Sequence, residues 1–283
     1  MFDFNGMKEN PSAIIFSASS DIGGAMCRRW LARGWNIFGT YRTQSQAVAE
    51  LQSFGIKLVC CNLSDQASIR NACSSLQELC PKWDLLAMCP GTQGPIGAFI
   101  ECGFDEWEES VGINFISQLR IIHELLPSRH LNSPLGPCVL LLAGGGTNSA
   151  PVNYSAYIIS KIALIKMSEL LDAEILDTRF VILGPGWVKT KIHKATLKAG
   201  EEFAGANYER TIHKLTSDEC TPMEEVMDCC EWLINQPREV IGGRNFSAVF
   251  DRWGSQELVD RLGQNFDMYK LRRHGNELLM RRK

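Results

Sequence analysis

The stretch LLAGGGTNSAPVNYSAYIISK, residues 141–161, decides the reading of this chain. It starts as an apolar run, breaks at three consecutive glycines, and then opens a long helical pattern carrying Tyr157 and Lys161. Residues four apart share one helix face, so the Lys161 ammonium is expected beside the tyrosine. A free phenol titrates near pH ~10 and an adjacent cation favours the phenolate, which would suit Tyr157 to pass a proton to or from an alcohol oxygen. Such a pair occurs by chance in many helices. Its weight comes from its place, directly after a strand and at the head of the next helix. Tyr154 lacks a lysine at the same offset and is expected to be a pocket wall.

Working outward, short apolar runs alternate with longer helical patterns: AIIFSA then GGAMCRRWLARG, WNIFGTY then SQAVAELQSFG, IKLVCC then QASIRNACSSLQELC, then DLLAMC. A long helix at about 105–126, the strand CVLLLA, the Tyr157 helix and the strand RFVILGP continue the rhythm, and RNFSAVF supplies a last edge strand. This alternation predicts an α/β fold: a doubly wound, Rossmann-like parallel sheet with helices on both faces. No linker or repeat divides the 283 residues, so one domain is expected over 1–283. Residues 186–215 leave the rhythm after the sixth strand and are expected to form a substrate lid. The segment 251–283 is basic and weakly periodic, and is expected to pack along the surface or at a subunit contact.

Composition excludes several classes. Hydrophobic residues make up 45% of the chain, enough for a substantial core, and the net charge of −3 offers no basic excess for nucleic-acid phosphates. No apolar run approaches the ~20 residues of a membrane span, and the first residues lack the order of a signal peptide, so a cytoplasmic protein is expected. The 11 cysteines include no C-x-x-C pair, which favours buried reduced thiols over zinc or thiol-redox chemistry, and no metal is expected.

The strand-to-helix turn FSASSDIGGAM is where backbone N–H groups and a helix dipole would hold a dinucleotide pyrophosphate. With the Tyr157–Lys161 pair in order behind it, the chain resembles the short-chain dehydrogenase/reductase family, whose fingerprint here is T-G-x-x-x-G-x-G. By spacing, Ser17 stands at its first glycine, Asp21 at its second and Gly23 at its third, with Ser19 and Ser20 as hydroxyl donors and Ile22 in the same turn. The Asp21 carboxylate would repel a pyrophosphate. Arg42, after the second strand, suits the 2′-phosphate of NADP(H), which is favoured over NAD(H); the alternative is a solvated strand-end charge.

The resemblance also implies adenine contacts at Asn62 and Leu63, and a nicotinamide-ribose segment at Cys89, Pro90 and Gly91, where only Gly91 keeps the family's N-N-A-G pattern. It implies a lysine-to-solvent water held by Asn114, and a nicotinamide-side turn at Pro185, Gly186, Val188 and Thr190. The family's catalytic serine falls at Gly144; backbone N–H groups of the glycine turn, Thr147 or Ser149 are its candidate replacements.

The order G-G-G before N-Y-S-A-Y-x-x-S-K, with FSAVFDRW and MYKLRR farther on, resembles a subgroup of these enzymes linked to surface-polysaccharide biosynthesis. That implies a sugar or nucleotide-sugar substrate; Ser149, Tyr154, Trp187 and Lys191 are the candidate substrate contacts. Lys189, Lys191, His193, Lys194 and Lys198 would suit an anionic carbohydrate, or form a solvated helix face. A homodimer or homotetramer is the family expectation. The main expectation is therefore an NAD(P)(H)-dependent interconversion of an alcohol and a ketone. Two alternatives stand beside it: a non-catalytic NAD(P)-binding sensor or scaffold, motivated by the eroded glycines, and a sugar-nucleotide epimerase or dehydratase.

Overall fold

The computed structural model describes residues 10–274. Seven parallel strands form one sheet in the order β3-β2-β1-β4-β5-β6-β7: β1 Ser12–Phe16, β2 Asn36–Tyr41, β3 Lys57–Cys60, β4 Leu85–Met88, β5 Cys138–Leu142, β6 Arg179–Gly184 and β7 Arg244–Ser247. The expected Rossmann-like α/β architecture is therefore present. The order reverses between β1 and β4, and the loops leaving their carboxyl ends diverge there to open the crevice in which such folds hold ligands.

Period-two alternation along the strands builds two cores. Ala13 and Ile15 face one layer, with Met26 and Trp30 of α1 (Asp21–Ala32) and Val226 and Leu233 of α9 (Met223–Ile234). Ile14 and Phe16 face the other, with Ile69 and Leu76 of α3 (Gln66–Leu79), Ile121 of α5 (Ser117–Leu125) and Leu164 of α6 (Ser155–Glu174). Burial on both faces explains why the central strands read as unbroken apolar runs.

The long helix expected at 105–126 runs as α4 (Phe104–Val111), a π turn at Gly112–Ile116 and α5, with right-handed helical dihedrals through both junctions. The π turn, marked by the Ser117 N–H bonding to the Gly112 carbonyl, carries Asn114. Such insertions displace residues from the regular i→i−4 ladder and often occur at functional sites.

The 186–215 segment holds a short 3₁₀ turn (Lys191–His193), α7 (Lys194–Ala204) and α8 (Ala206–Thr216), with α7 broken at Gly200 (φ 77°). Helix α11 (Gln256–Gln264) buries Leu258 and Leu262 in the core, and the buried Arg244 donates to the Leu262, Asn265 and Met268 carbonyls at 2.6–3.0 Å. Weak periodicity in the sequence hid a short, strongly one-sided helix whose end is closed by an arginine from β7. The basic residues 275–283 lie outside the described part.

Candidate active site

The first crevice wall is the β1–α1 turn. Ser17 takes φ 58°, a left-handed conformation that favours glycine, which explains why the family pattern places one there. Its N–H donates to Thr40 Oγ1 at 3.0 Å, so a neighbouring strand supports the unusual backbone. Ser20 caps α1, accepting from the Gly23 N–H at 3.1 Å. A Cβ at Gly23 would sit 2.3 Å from the Ser17 carbonyl oxygen, so this glycine is sterically required. The cradle thus keeps the shape of a dinucleotide site, with a helix amino terminus aimed across it.

Asp21 departs from that pattern. Its Oδ2 accepts the Lys191 N–H at 2.6 Å, and the Lys191 ammonium donates to the Ser19 carbonyl at 2.9 Å. Lys191, expected at the substrate, is thereby placed across the phosphate turn. No spacing rule reveals this pair, whose members lie 170 residues apart.

Arg42 is exposed one residue past β2, and its side chain makes no hydrogen bond or ion pair among the described residues. Asn62 Oδ1 accepts from both the N–H and the hydroxyl of Ser64, a local turn at the end of β3. The Leu63 carbonyl accepts from the Ser117 hydroxyl at 2.7 Å, tying the loop after β3 to α5. Cys89 is buried, lies 3.5 Å from the Met26 sulfur, and has its thiol pushed above the ordinary range by burial, as suits a packing residue. Pro90 is buried and Gly91 exposed. Gly186 (φ 76°) turns tightly under Thr221 and Val249, where a Cβ would clash at 2.3–2.4 Å. Pro185 precedes it, the buried Val188 passes its carbonyl to His193 Nε2 at 2.9 Å, and Thr190 caps the 3₁₀ turn.

At the centre, Tyr157 and Lys161 share one face of the first turns of α6, with the ammonium 5.8 Å from the ring centroid. Lys161 is 3% exposed, and its ammonium donates to the Leu142 carbonyl at 3.0 Å and towards the Pro90 carbonyl at 3.4 Å. Burial pulls its pKa down to about 8. Burial also pushes the Tyr157 phenol up to about 12, so the expected tilt towards phenolate is corrected. Loss of solvation outweighs the nearby cation, whose N–H groups face carbonyls, and Tyr157 is held as a neutral acid.

Gly144 faces this pair directly. A Cβ there would lie 2.9 Å from the Tyr157 hydroxyl, from Tyr157 Cε1 and from Lys161 Cγ. The tyrosine therefore occupies the space a serine would need. Gly146 (φ 99°) brings the turn down on α6, where a Cβ would meet Ile158 at 2.6 Å. Thr147 is half-buried and Ser149 exposed, and neither has a side-chain hydrogen bond among the described residues.

Asn114 is fully buried. Its amide meets both backbone groups of Thr92, at 2.8 and 2.9 Å, and the Ser110 hydroxyl at 3.2 Å. It therefore pins the loop after β4, and both its amide hydrogens have protein partners. The Asn114 carbonyl accepts from Gln118 Nε2 at 2.7 Å. Gln118 was not singled out in the sequence, although its place four residues after Asn114 on one helix face was a usable signal.

Tyr154 is buried as a wall, its hydroxyl 2.9 Å from Thr196 on α7. Trp187 stacks on His193 at 3.7 Å between ring centroids, and burial lowers the His193 pKa. Lys189, Lys194 and Lys198 are exposed. Lys191 lies on the phosphate turn and His193 is stacked under Trp187, while the exposed Lys189, Lys194 and Lys198 fit the solvated-face alternative. Among the described residues no group of His, Cys, Asp and Glu could hold a metal ion, and no helix is long and apolar enough to cross a membrane.

These features describe a crevice at the sheet's switch point, with a helix amino terminus on one side and a tyrosine beside a buried lysine on the other. Residues 17–248 match the family model described as enoyl-(acyl carrier protein) reductase. The chain belongs to the short-chain dehydrogenase/reductase family, whose members here act as oxidoreductases on hydroxyl and keto groups. It is 24% identical over 197 residues to the 3-oxoacyl-acyl-carrier-protein reductase FabG of Escherichia coli, covering 66% of this chain and 77% of that one. Among solved structures it resembles the short-chain dehydrogenase/reductase YIR035C of Saccharomyces cerevisiae, with TM-score 0.76, 15% identity, and 89% and 99% of the two chains covered. A variant of the actinorhodin polyketide ketoreductase with NADPH has TM-score 0.74 at 19% identity, with 85% and 96% covered.

Proposed function

We propose that this oxidoreductase uses NADP(H) to reduce a ketone to a secondary alcohol, with Tyr157 as the proton donor. The observation that carries this reading is the placement of the Tyr157 hydroxyl against Gly144, past the carboxyl end of β5, with the Lys161 ammonium 5.8 Å from its ring centroid. When bound, the cofactor supplies hydride to the carbonyl carbon. Tyr157 gives its hydroxyl proton to the carbonyl oxygen, and the Lys161 ammonium stabilises the phenolate that results. Ser17, Ser20 and Gly23 shape the pyrophosphate cradle, Arg42 meets the 2′-phosphate, and Asn62, Leu63, Pro90 and Gly91 line the nucleoside side. The segment 186–215 serves as the substrate lid, joined to the pocket wall through Tyr154 and Thr196. Asn114 acts by fixing the Thr92 loop.

Replacing Arg42 with Ala is expected to weaken NADPH binding by about 10- to 100-fold and leave NADH unchanged, read by fluorescence titration, because the guanidinium that would pair with the 2′-phosphate is lost. Equal weakening for both dinucleotides would remove the 2′-phosphate assignment. A second expectation concerns pH. Lys161 is a cation below its free-protein pKa of about 8 and neutral above it. Anionic cofactor binding raises that pKa, so affinity is expected to fall as pH passes about 8, and Lys161→Met is expected to abolish the dependence.

A carbohydrate ketone remains supported by the subgroup resemblance alone. An apolar ketone is favoured by a specific observation: Phe99 and Phe104 are 57% and 61% exposed around Trp107, with Phe104 stacked on its ring at 5.5 Å and Phe99 edge-on at 6.1 Å. Trp107 is tied to the head of α6 by its indole N–H to Ser155 Oγ at 2.9 Å. NADPH oxidation measured in parallel with ketosugars and with 3-oxoacyl thioesters separates the two readings.

A further inference from the structure

We propose that Lys191 is a charge-compensating residue of the cofactor site, required because Asp21 stands in the phosphate turn where the family has a glycine. The proposal rests on the dinucleotide reading of the crevice and goes beyond it. Asp21 is the first residue of α1, so its carboxylate sits at the helix end that would face a pyrophosphate. A helix amino terminus favours negative charge there, but a second anion beside the first costs Coulomb energy, the more so once water is displaced.

The structure answers that charge from the far side of the crevice. Asp21 Oδ2 accepts the Lys191 backbone N–H at 2.6 Å, and the Lys191 ammonium reaches Ser19 O at 2.9 Å and Asp21 Oδ1 at 3.9 Å. The contact joins the turn after β1 to the first residue of the 3₁₀ turn within the lid segment. Lys191 therefore closes a clasp over the phosphate turn.

The side chains are 54% and 34% exposed for Lys191 and Asp21, so the clasp contributes little as an isolated surface ion pair. Its consequence appears when a dinucleotide occupies the cradle. Asp21 and Lys191 together would present no net charge to the pyrophosphate, because the ammonium stands 3.9 Å from the Asp21 carboxylate. Removal of Lys191 leaves the carboxylate facing the phosphates uncompensated. Removal of the carboxylate makes the lysine dispensable.

The test is a double-mutant cycle on the full chain, with NADPH as the fluorescent probe. Lys191→Ala is expected to weaken NADPH binding about tenfold or more, Asp21→Asn to bind as tightly as wild type or tighter, and the double variant to bind within about threefold of Asp21→Asn. Binding by Lys191→Ala within about twofold of wild type overturns the proposal. An equal loss from Lys191→Ala with and without the Asp21 carboxylate overturns it as well, because lysine would then act on the cofactor independently of the aspartate.

A second readout needs no cofactor. The Lys191 amide is expected to exchange slowly with solvent in the free protein and faster in Asp21→Asn, and equal exchange contradicts the clasp. Wild-type protein that binds neither NADPH nor NADH while keeping Asp21-dependent protection of that amide contradicts the dinucleotide reading, and the compensation role falls with it, whereas the clasp stands.

Discussion

Tyr157→Phe is expected to lower ketone reduction by about 10³-fold or more while leaving NADPH affinity and folding close to wild type. The substitution removes one oxygen from a ring that otherwise keeps its place over Lys161 and beneath Gly144. Burial raises the phenol to about 12, so across the neutral range Tyr157 enters the reaction as an acid with its proton in place. Among the described residues, Tyr154 turns its hydroxyl to Thr196 and the Lys161 ammonium faces backbone carbonyls, so neither is aimed at the same transfer. The loss is therefore expected in kcat, with KM little changed, since the hydroxyl acts where charge develops on the carbonyl oxygen. A Phe variant that reduces ketones at the wild-type rate removes Tyr157 from the mechanism.

Gly144→Ser, which restores the family's residue, is expected to impair the enzyme. A Cβ at 144 would stand 2.9 Å from the Tyr157 hydroxyl and equally close to Lys161 Cγ, well inside ordinary contact distance. The tyrosine must swing out or the strand end must shift. Overpacking of this kind costs about 1–3 kcal/mol in stability, and displacing the acid from its oxygen is expected to cost at least about tenfold in kcat. Thermal denaturation and steady-state kinetics read the two effects. A serine variant with higher activity and unchanged stability would mean that Gly144 marks a lost hydroxyl rather than a tyrosine repositioned to use its space.

The fold is legible because turns punctuate the chain and because burial on both faces makes the central strands near-continuous apolar runs. Even the edge strand at RNFSAVF and the unbroken helix through Asn114 could be read. The π turn could not, because it alters backbone pairing without a composition signal. Helix α11 was hidden because only Leu258 and Leu262 in it are buried, and its anchoring depends on Arg244 from a distant strand.

In the site, positions fixed by local spacing were legible: Tyr157 and Lys161 on one face, Ser17 and Gly23 at the glycine-demanding points of the cradle, Gly186 in its turn. What depended on contacts between distant segments was not. Lys191 was read by its charge and neighbours as a substrate contact, yet its partners are Ser19 and Asp21. The direction of the Tyr157 shift is hidden for the same reason: helix spacing puts a cation near, but only packing sets how far the half-buried ring is desolvated. Asn114 was read from its type in a helix interior, and its partner Thr92 became visible only when the loop after β4 folded over it.

The central claim, hydride transfer from NADPH to a ketone with protonation by Tyr157, is tested most directly by incubating wild type and Tyr157→Phe with NADPH deuterated at the transferable position and a mixed panel of ketosugars and 3-oxoacyl thioesters. Deuterium at the carbinol carbon of a product with wild type, and its loss with the phenylalanine variant while NADPH still binds, is the predicted result. Tight NADPH binding by wild type with no deuterated alcohol from any ketone would contradict the account and leave a dinucleotide-binding protein without this chemistry.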